Sequence, residues 1–186
     1  MVFTVCAAIS EHWLFRLYCN VVSKIIVIAH NIRSTHNVGS IFRSCEGFGV
    51  EKIILSGYTP YPHIANDTRL PHIADKLTKQ IHKTALGAES IVPFEHYDTL
   101  DLGTLDLAGY RIVALEQAAN STHLRDYKAP AKLALLLGEE VHGITSELLT
   151  KVDDIIEIPM FGTKESFNVS VAAGIALYAL VDSQAK

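Results

Sequence analysis

The stretches LALLLGEEVHGI (133–144) and DDIIEIPMFGTKESFNVSVAAGIALYAL (153–180), separated by a short polar segment, decide the fold of this chain. Their residue order predicts a buried strand, a glycine-bounded acidic loop, a second strand, a second glycine loop and a long helix of small and apolar residues. Glycine loops at the ends of buried strands let main-chain groups approach a ligand closely. Because ligands of open α/β sheets bind at the carboxyl ends of the strands, we expect the functional site here.

The chain before this stretch begins with a clear strand–helix–strand unit. The run KIIVIA (24–29) is continuously apolar after its lysine and rich in β-branched residues, which is typical of a strand buried on both faces. A polar segment leads into a helix predicted over 38–46, with Thr35 or Asn37 as its N-cap. The run KIIL (52–55) predicts the next strand, so the two strands should be a parallel pair with a right-handed crossover.

The middle of the chain repeats this alternation less regularly. We predict a long loop over 56–75, a helix over 76–86, a short strand over 91–94, a weak helix over 97–108 and a buried strand over 111–115. Repeated alternation of strands and helices indicates an α/β fold. The predicted architecture is a mostly parallel sheet of about six strands with helices on both faces.

Composition limits the class of protein. A chain of 186 residues with 49% hydrophobic and 19% charged residues suits one domain with a substantial core. Cys6, Cys19 and Cys45 have neither metal-ligand spacing nor a disulfide framework, so we expect a cytoplasmic protein without a metal site. The net charge of −4 does not indicate a nucleic-acid partner. It does not exclude one, because local basic patches govern phosphate binding.

Residues 1–22 do not continue the alternation of strands and helices. The stretch over 1–22 is apolar but interrupted by Glu11, His12 and Arg16, and it lacks a basic leader region. These interruptions argue against a membrane span. We therefore expect an N-terminal extension that packs on a single domain over 23–186.

The first polar motif is Asn37-x-Gly39-x-x-x-Arg43. Gly39 and Arg43 are one helical turn apart and should share a face of the helix. A functional interpretation has Asn37 presenting its amide at the strand end and Arg43 projecting a cation into the same crevice. The ordinary interpretation makes Asn37 a cap, Gly39 a packing contact and Arg43 a surface cation. Taken alone, the motif favours the ordinary interpretation.

The second and third motifs are also ambiguous in isolation. The loop from Gly138 to Gly143 is an ordinary turn or a place where the backbone approaches a flat ligand such as a nucleoside. Glu140 within it pairs with a cation in the crevice or is solvated. Ser166 or Asn168 is by default the N-cap of the last helix, whose small residues permit close packing.

In combination, the three motifs resemble the SpoU (TrmH-like) class of RNA ribose methyltransferases, within the SPOUT superfamily. The resemblance extends from Ile25 to Leu180 and includes a mid-chain segment over 83–89. One departure is Phe167, which stands where leucine is common. The matching residues are Asn37, Gly39 and Arg43; Gly138, Glu140 and Gly143; and 158–174.

The resemblance implies a fold, a cofactor and an assembly. Proteins of this class have a deep trefoil knot near the C-terminus, here over about 133–180, which binds S-adenosyl-L-methionine (AdoMet) largely through backbone atoms. They are homodimers that pack their knot regions together, so the last helix is expected in the interface. The cofactor-binding residues implied here are Leu115, Glu116, Gly138, Gly143, Ile158, Met160 and Phe167.

The resemblance also implies methyl transfer to a ribose 2′-hydroxyl of tRNA or rRNA. We expect Arg43 to hold the phosphate–ribose unit and to stabilise the developing alkoxide, because an arginine remains protonated in proteins. Asn37, Ser166 and Asn168 would orient the hydroxyl, and Glu140 would position Arg43.

The loop after the second strand and the helix that follows it offer candidates for RNA contacts. The candidates are the prolines of the loop over 56–75, Tyr58, Tyr61, Arg69 and the helix over 76–83, since bases stack on tyrosines. An ordinary surface loop explains them equally well.

Two other functions remain open at this point. A nicotinamide-dependent oxidoreductase fits the alternation of strands and helices, but no GxGxxG follows the first strand. A non-catalytic RNA-binding or ribosome-assembly protein that retains the knotted fold is the closer alternative. The presence of Arg43, Ser166 and Asn168 argues against it.

Overall fold

A computed structural model describes residues 24–184, which are organised around one sheet of seven strands in the order β3-β2-β1-β6-β4-β7-β5. Every pair of neighbouring strands is parallel. The α/β prediction is therefore confirmed, and the strand beyond the expected six is the two-residue β5. The strands are β1 (Lys24–His30), β2 (Lys52–Ser56), β3 (Phe94–Tyr97), β4 (Arg111–Leu115), β5 (Thr122–His123), β6 (Lys132–Leu137) and β7 (Asp154–Glu157).

The helices of the described residues differ greatly in length, and three of them are long. They are α1 (Thr35–Gly47), α2 (Pro71–Ala85), the single-turn α3 (Ser146–Leu149) and α4 (Val169–Gln184), with short 3₁₀ turns at Ala88–Ser90 and Leu124–Asp126. Among residues 24–184, no helix combines the length and the apolar character that crossing a bilayer requires.

Strand β1 explains why its sequence is continuously apolar. Ile25 and Val27 pack into a core shared with α1, α2 and α4 on one face of the sheet. Ile26 and Ile28 point to the opposite face, because successive side chains of a strand alternate. There the described cover is the short α3 and an irregular segment that includes Leu102 and Leu107. Helices are thus present on both faces of the sheet, as predicted, but three long helices cover one face and a single-turn helix the other.

Local hydrogen bonding explains where the sequence predictions were wrong. The helix expected over 97–108 is absent from the described structure, because the Asp101 side chain accepts the Gly103 N–H (3.0 Å) and forms a turn. The strand expected over 91–94 lies at β3 instead, where it pairs with β2. Helix α2 begins at Pro71, five residues earlier than expected, with proline in the first turn.

The start of α1 also differs from expectation. Ser34 is the N-cap, and its hydroxyl accepts the Asn37 N–H (3.3 Å), so neither Thr35 nor Asn37 caps the helix. The Asn37 side chain is therefore available for contacts outside its own helix. The expected N-terminal extension over 1–22 lies outside the described residues, and the domain boundaries stay a prediction.

Candidate functional site

A cavity of about 280 Å³ lies at the carboxyl ends of β4, β6 and β7, where the parallel sheet was expected to bind a ligand. Its size is near the lower end of about 300–1,000 Å³ for small-molecule sites. One part of the wall is apolar and the other is rich in carboxylates. The lining residues are Leu115, Glu116, Gln117, Leu137, Gly138, Glu139, Glu140, Val141, His142, Gly143, Glu157, Ile158, Glu165, Ser166, Phe167, Val169 and Ala172.

The loop over 138–143 folds back on itself tightly enough to require both of its glycines. A Cβ on Gly138 would lie 2.6 Å from the Gly143 carbonyl carbon. Gly143 has a φ of +66°, a conformation that L residues rarely adopt, and a Cβ there would lie 2.2 Å from Glu116 Oε2. That carboxylate accepts the Ile144 N–H (2.8 Å) and so anchors the end of the loop. Glu116 acts here as a support for the loop.

Glu140 connects this loop to the beginning of helix α1. Its carboxylate accepts the backbone N–H groups of Arg33 (3.0 Å) and Ser34 (3.3 Å) and the Asn37 side-chain amide (2.9 Å). The expectation that Glu140 positions Arg43 is wrong for the described chain, because its carboxylate is bonded to Asn37 and the start of α1.

Asn37 is in turn bonded to the third motif. Its Oδ1 accepts a hydrogen bond from Asn168 Nδ2 (3.1 Å), although the two residues are 131 positions apart. Asn168 also caps α4, since its Oδ1 accepts the Ser170 N–H (2.9 Å). The chain of contacts Glu140–Asn37–Asn168 therefore joins one residue from each of the three motifs beside the cavity.

Two carboxylates at the cavity, Glu139 and Glu140, have a pKa below the ordinary value for glutamate. Burial raises the pKa of the Glu140 carboxyl, but hydrogen bonds from Arg33, Asn37 and Ser34 outweigh it and bring the pKa below its ordinary value. A hydrogen bond from His142 lowers the pKa of Glu139, against a smaller opposing effect of burial. Negative charge at the rim would favour a cationic ligand.

Arg43 lies elsewhere. It is exposed and lines a second, open cavity of about 540 Å³ between α1 and α2, which we call the α1–α2 groove. Gly39 lies against Ile81 and Thr84 of α2, so Gly39 and Arg43 share a helix face as expected. The expectation that Asn37 and Arg43 face the same crevice is wrong within one chain. The groove is lined by Ser40, Arg43, Ser44, Gly47, Phe48, Lys83 and Thr84.

The residues expected to bind a cofactor fall mostly on the first cavity. Leu115, Glu116, Gly138, Gly143, Ile158 and Phe167 line it, as do the expected catalytic residues Ser166 and Glu140. Met160, two positions beyond Ile158, is outside the set of lining residues described above.

Several lining residues were missed from the sequence. Gln117 donates a hydrogen bond to the Glu165 carbonyl (2.7 Å) and so connects the loop after β4 to the loop before α4. Glu139 and His142 could have been proposed from their position in the glycine-bounded loop. No local pattern marks Glu157 or Glu165 as a cavity residue. Their place in the cavity wall depends on the position of β7 in the sheet and on the path of the loop before α4.

Two of the residues expected to contact RNA, Tyr61 and Arg69, pack against each other and against neighbouring side chains. The Arg69 guanidinium lies 3.5 Å from the centre of the Tyr61 ring and forms an ion pair with Asp67 (2.5 Å). The other face of Tyr61 stacks on His96 (3.8 Å between ring centres). These contacts explain Tyr61 and Arg69 as structural residues of the loop after β2. Tyr58, by contrast, is 53% exposed.

The fold and the cavity together define a class: parallel α/β proteins that bind a small molecule at the carboxyl edge of the sheet. The match to known sequences is more specific. Residues 24–178 match the SpoU rRNA Methylase family, and the chain belongs to this family. It is 30% identical over 154 residues to a tRNA (guanosine(18)-2′-O)-methyltransferase of Aquifex aeolicus, covering 83% of this chain and 67% of that relative.

Solved structures agree with this assignment. A TrmH/SpoU tRNA modifying enzyme of A. aeolicus superposes with a TM-score of 0.70 at 27% identity, covering 93% of this chain and 83% of that one. An AdoMet-bound rRNA methyltransferase from Sinorhizobium meliloti superposes with a TM-score of 0.69 at 25% identity, covering 84% and 55%. The chain spans between 9% and 67% of the lengths of the first curated relatives that it matches.

Proposed function

We propose that this chain transfers a methyl group from AdoMet to a ribose 2′-hydroxyl of tRNA or rRNA. The observation that carries the proposal is the hydrogen-bonded chain Glu140–Asn37–Asn168, which joins all three family motifs beside the cavity. The relatives named above, which include enzymes of tRNA and of rRNA, support the reaction class. They leave both kinds of RNA as substrate candidates.

The cavity has the chemistry that AdoMet needs. Apolar side chains such as Ile158 and Phe167 suit a flat adenine ring, and the tight loop over 138–143 offers backbone groups for its polar edge. Carboxylates such as Glu139 and Glu165 suit a sulfonium cation and an ammonium group. The residues present therefore fit this cofactor.

When bound, AdoMet supplies a methyl group already activated by the sulfonium, so the protein's task is to align and to activate the hydroxyl. Alignment of the reacting groups can remove about 7–11 kcal/mol of such a barrier. Asn37, Ser166 and Asn168 orient the hydroxyl. Arg43 holds the neighbouring phosphate and stabilises the charge that develops on oxygen as the hydroxyl proton passes to water, because the guanidinium stays protonated throughout.

Arg43 has to reach the cavity from another chain, since within one chain it lies in the α1–α2 groove. We propose a homodimer that packs through α4. Val171 (49% exposed), Ile175 (38%) and Tyr178 (65%) form an exposed apolar stripe along this helix. Positions i, i+4 and i+7 lie on one helix face, which suits a helix-to-helix contact.

The position of this stripe supports an antiparallel contact. At its N-terminal end, α4 contributes Val169 and Ala172 to the cavity. At its C-terminal half, Tyr178 contacts Phe48 of the groove, with 6.5 Å between the ring centres. Antiparallel packing of two α4 helices would bring the groove of one chain to the cavity of the other.

Two further expectations belong to the same proposal. The knotted path over about 133–180 is supported by the family assignment and by the contact of Gln117 with Glu165. A cytoplasmic location is supported by the cysteines, of which Cys45 is a buried free thiol.

The decisive experiment is transfer of a labelled methyl group from AdoMet to total tRNA and to total rRNA. Nuclease mapping would locate the nucleotide. Ribose methylation makes the adjoining phosphodiester resistant to alkali, so alkaline hydrolysis should release labelled dinucleotides. Label in mononucleotides would mean base methylation. AdoMet binding without transfer to either RNA would favour the non-catalytic RNA-binding alternative.

A further inference from the structure

Arg33, Glu139 and His142 form a hydrogen-bonded group at the mouth of the cavity. Tyr58 lies beside it, and we call the four residues the rim cluster: Arg33, Tyr58, Glu139 and His142. Arg33 Nη2 lies 2.7 Å from Glu139 Oε1, and His142 Nδ1 lies 3.0 Å from Glu139 Oε2. Glu139 and His142 line the cavity. The cluster therefore continues the cavity wall outward onto the surface.

The Tyr58 side chain lies close enough to Glu139 and Arg33 for both to influence the pKa of its hydroxyl. Local burial and a hydrogen bond to the Glu139 carboxylate raise the pKa of this hydroxyl. Hydrogen bonds to Tyr58 and to Glu139 raise the pKa of the Arg33 guanidinium. The anchored groups are nevertheless open to solvent, since Tyr58 is 53% exposed and the Arg33 side chain 67% exposed.

The backbone beneath Tyr58 is held in an unusual conformation. Asn31 has a φ of +57° and Gly57 a φ of +67°. Asn31 Oδ1 accepts the Tyr58 N–H (3.3 Å), and a Cβ on Gly57 would lie 1.9 Å from that same oxygen. Left-handed backbone at a non-glycine residue costs free energy and concentrates at functional sites. Here it fixes the position of Tyr58.

Stability alone does not account for this arrangement. Ion pairs between exposed groups contribute little to the free energy of folding. A half-exposed aromatic ring held by polar anchors loses hydrophobic stabilisation that burial would provide. A ligand that packs on the exposed ring would recover this lost hydrophobic stabilisation.

We propose that Tyr58 and Arg33 form a stacking platform for an unpaired RNA base next to the ribose that is methylated. Single-stranded RNA is recognised by stacking of its bases on tyrosine rings and arginine guanidinium planes. The platform borders the cavity, so a base on it would lie beside the reacting nucleotide. The ion pair with Glu139 (2.7 Å) holds the Arg33 guanidinium beside the ring. This inference rests on the proposed function.

The test compares Tyr58→Ala with wild type and with Tyr97→Ala. Tyr97 is a matched control, since it is also an exposed tyrosine (39%) whose hydroxyl donates to a glutamate, Glu95, but it lies on the outermost strand β3. Binding is measured with fluorescein-labelled single-stranded RNA of random sequence and with a fully paired duplex. Turnover is measured with total tRNA and rRNA.

Loss of a stacked base predicts that Tyr58→Ala weakens single-strand binding and raises KM for RNA by about 5- to 150-fold. AdoMet affinity, duplex binding and oligomeric mass should be unchanged, and Tyr58→Phe should lose much less than Tyr58→Ala because it keeps the ring. Unchanged single-strand binding, equal losses in the Phe and Ala variants, or a change of mass would overturn the platform.

The two proposals fail separately. If wild-type protein transfers no methyl group to any RNA, the proposed function is wrong, and the binding arm still decides whether Tyr58 stacks on a base. If wild type is active while Tyr58→Ala binds and reacts normally, only the platform is wrong.

Discussion

Two polar regions lie on different sides of helix α1, and they are built in different ways. The cavity side is closed by hydrogen bonds from distant parts of the chain, with Asn37 held between Glu140 and Asn168. The α1–α2 groove is open, and it presents the cations Arg43 and Lys83 beside hydroxyl groups. Under the proposed function, the cofactor site is complete in one chain, whereas Arg43 in the groove acts on the cavity of another chain.

The largest effect that would test this division comes from Arg43→Ala. We expect the rate of methyl transfer to fall by about 10²–10³-fold, since the variant loses a group that stabilises developing charge. AdoMet affinity, measured by calorimetry, should stay within about twofold because Arg43 is outside the cavity. Arg125→Ala, another exposed arginine, is the control. An equal fall in cofactor affinity would contradict the division.

The converse change is Gly143→Ala, which should weaken AdoMet binding by about 5- to 150-fold through strain at a positive φ and displacement of Glu116. The melting temperature should be recorded alongside, to separate a local effect from unfolding. Gly162→Ala in the neighbouring loop is the matched control, since nothing lies within 4 Å of its added Cβ. Normal binding by Gly143→Ala would mean that the loop does not contact the cofactor.

Mixing these two variants, at an AdoMet concentration that saturates only an intact cavity, asks whether the regions meet across a dimer. After denaturation and joint refolding, half of the dimers are mixed, and each has one intact cavity facing one intact Arg43. Activity should therefore recover to about a quarter of the wild-type value. Refolding each variant alone is the control. No recovery, with mixed dimers verified by differential tagging, would show that Arg43 serves its own chain.

Substitution of Gly39 tests how the groove is formed. An added Cβ would lie 2.2 Å from Thr84 Oγ1 and 2.3 Å from the Ile81 carbonyl oxygen. Gly39→Ala should lower the free energy of unfolding by about 1–3 kcal/mol. Gly47→Ala, in the same helix with nothing within 4 Å, should raise it by about 0.5–1 kcal/mol. Urea titration measures both, and similar effects at the two positions would refute the close α1–α2 contact.

The smallest expected effect is on the pH dependence of the free energy of unfolding, through Glu140 at the cavity. The pKa of Glu140 is lower in the folded chain than its ordinary value of 4.5. Its stabilising contribution is therefore complete above about pH 4.5 and is lost as the pH falls through the folded pKa. We expect this contribution to be below about 1 kcal/mol, since solvent screens a carboxylate at the rim. Urea titrations across pH should show a smaller dependence for Glu140→Gln than for wild type.

Much of this architecture could be predicted from local patterns. The continuous apolar run of β1 indicates burial on both faces, and the two glycines before Ile144 mark the tight loop that lines the cavity. Helix geometry alone could have excluded the prediction that Asn37 and Arg43 face the same crevice. Asn37 and Arg43 are six positions apart, and at about 100° per residue they cannot share a face of α1.

Other features depend on contacts that no local pattern contains. Glu140 bonds Asn37 across 103 positions, and the partner of that carboxylate follows from the order of β1 and β6 in the sheet. The position of Tyr58 depends on the left-handed conformation of Asn31, whose sequence neighbourhood is an ordinary polar turn. Exposure of the α4 stripe depends on which helix face packs against α1.

The neighbour relation of β1 and β6 has a consequence for biosynthesis. Strand β1 leaves the ribosome early, but the strand that pairs with its second edge is completed only when Leu137 has been made. Until then that edge is bare, and an unpaired strand edge is prone to join another chain. A ribosome stalled within this interval would hold a nascent chain that needs protection by a chaperone.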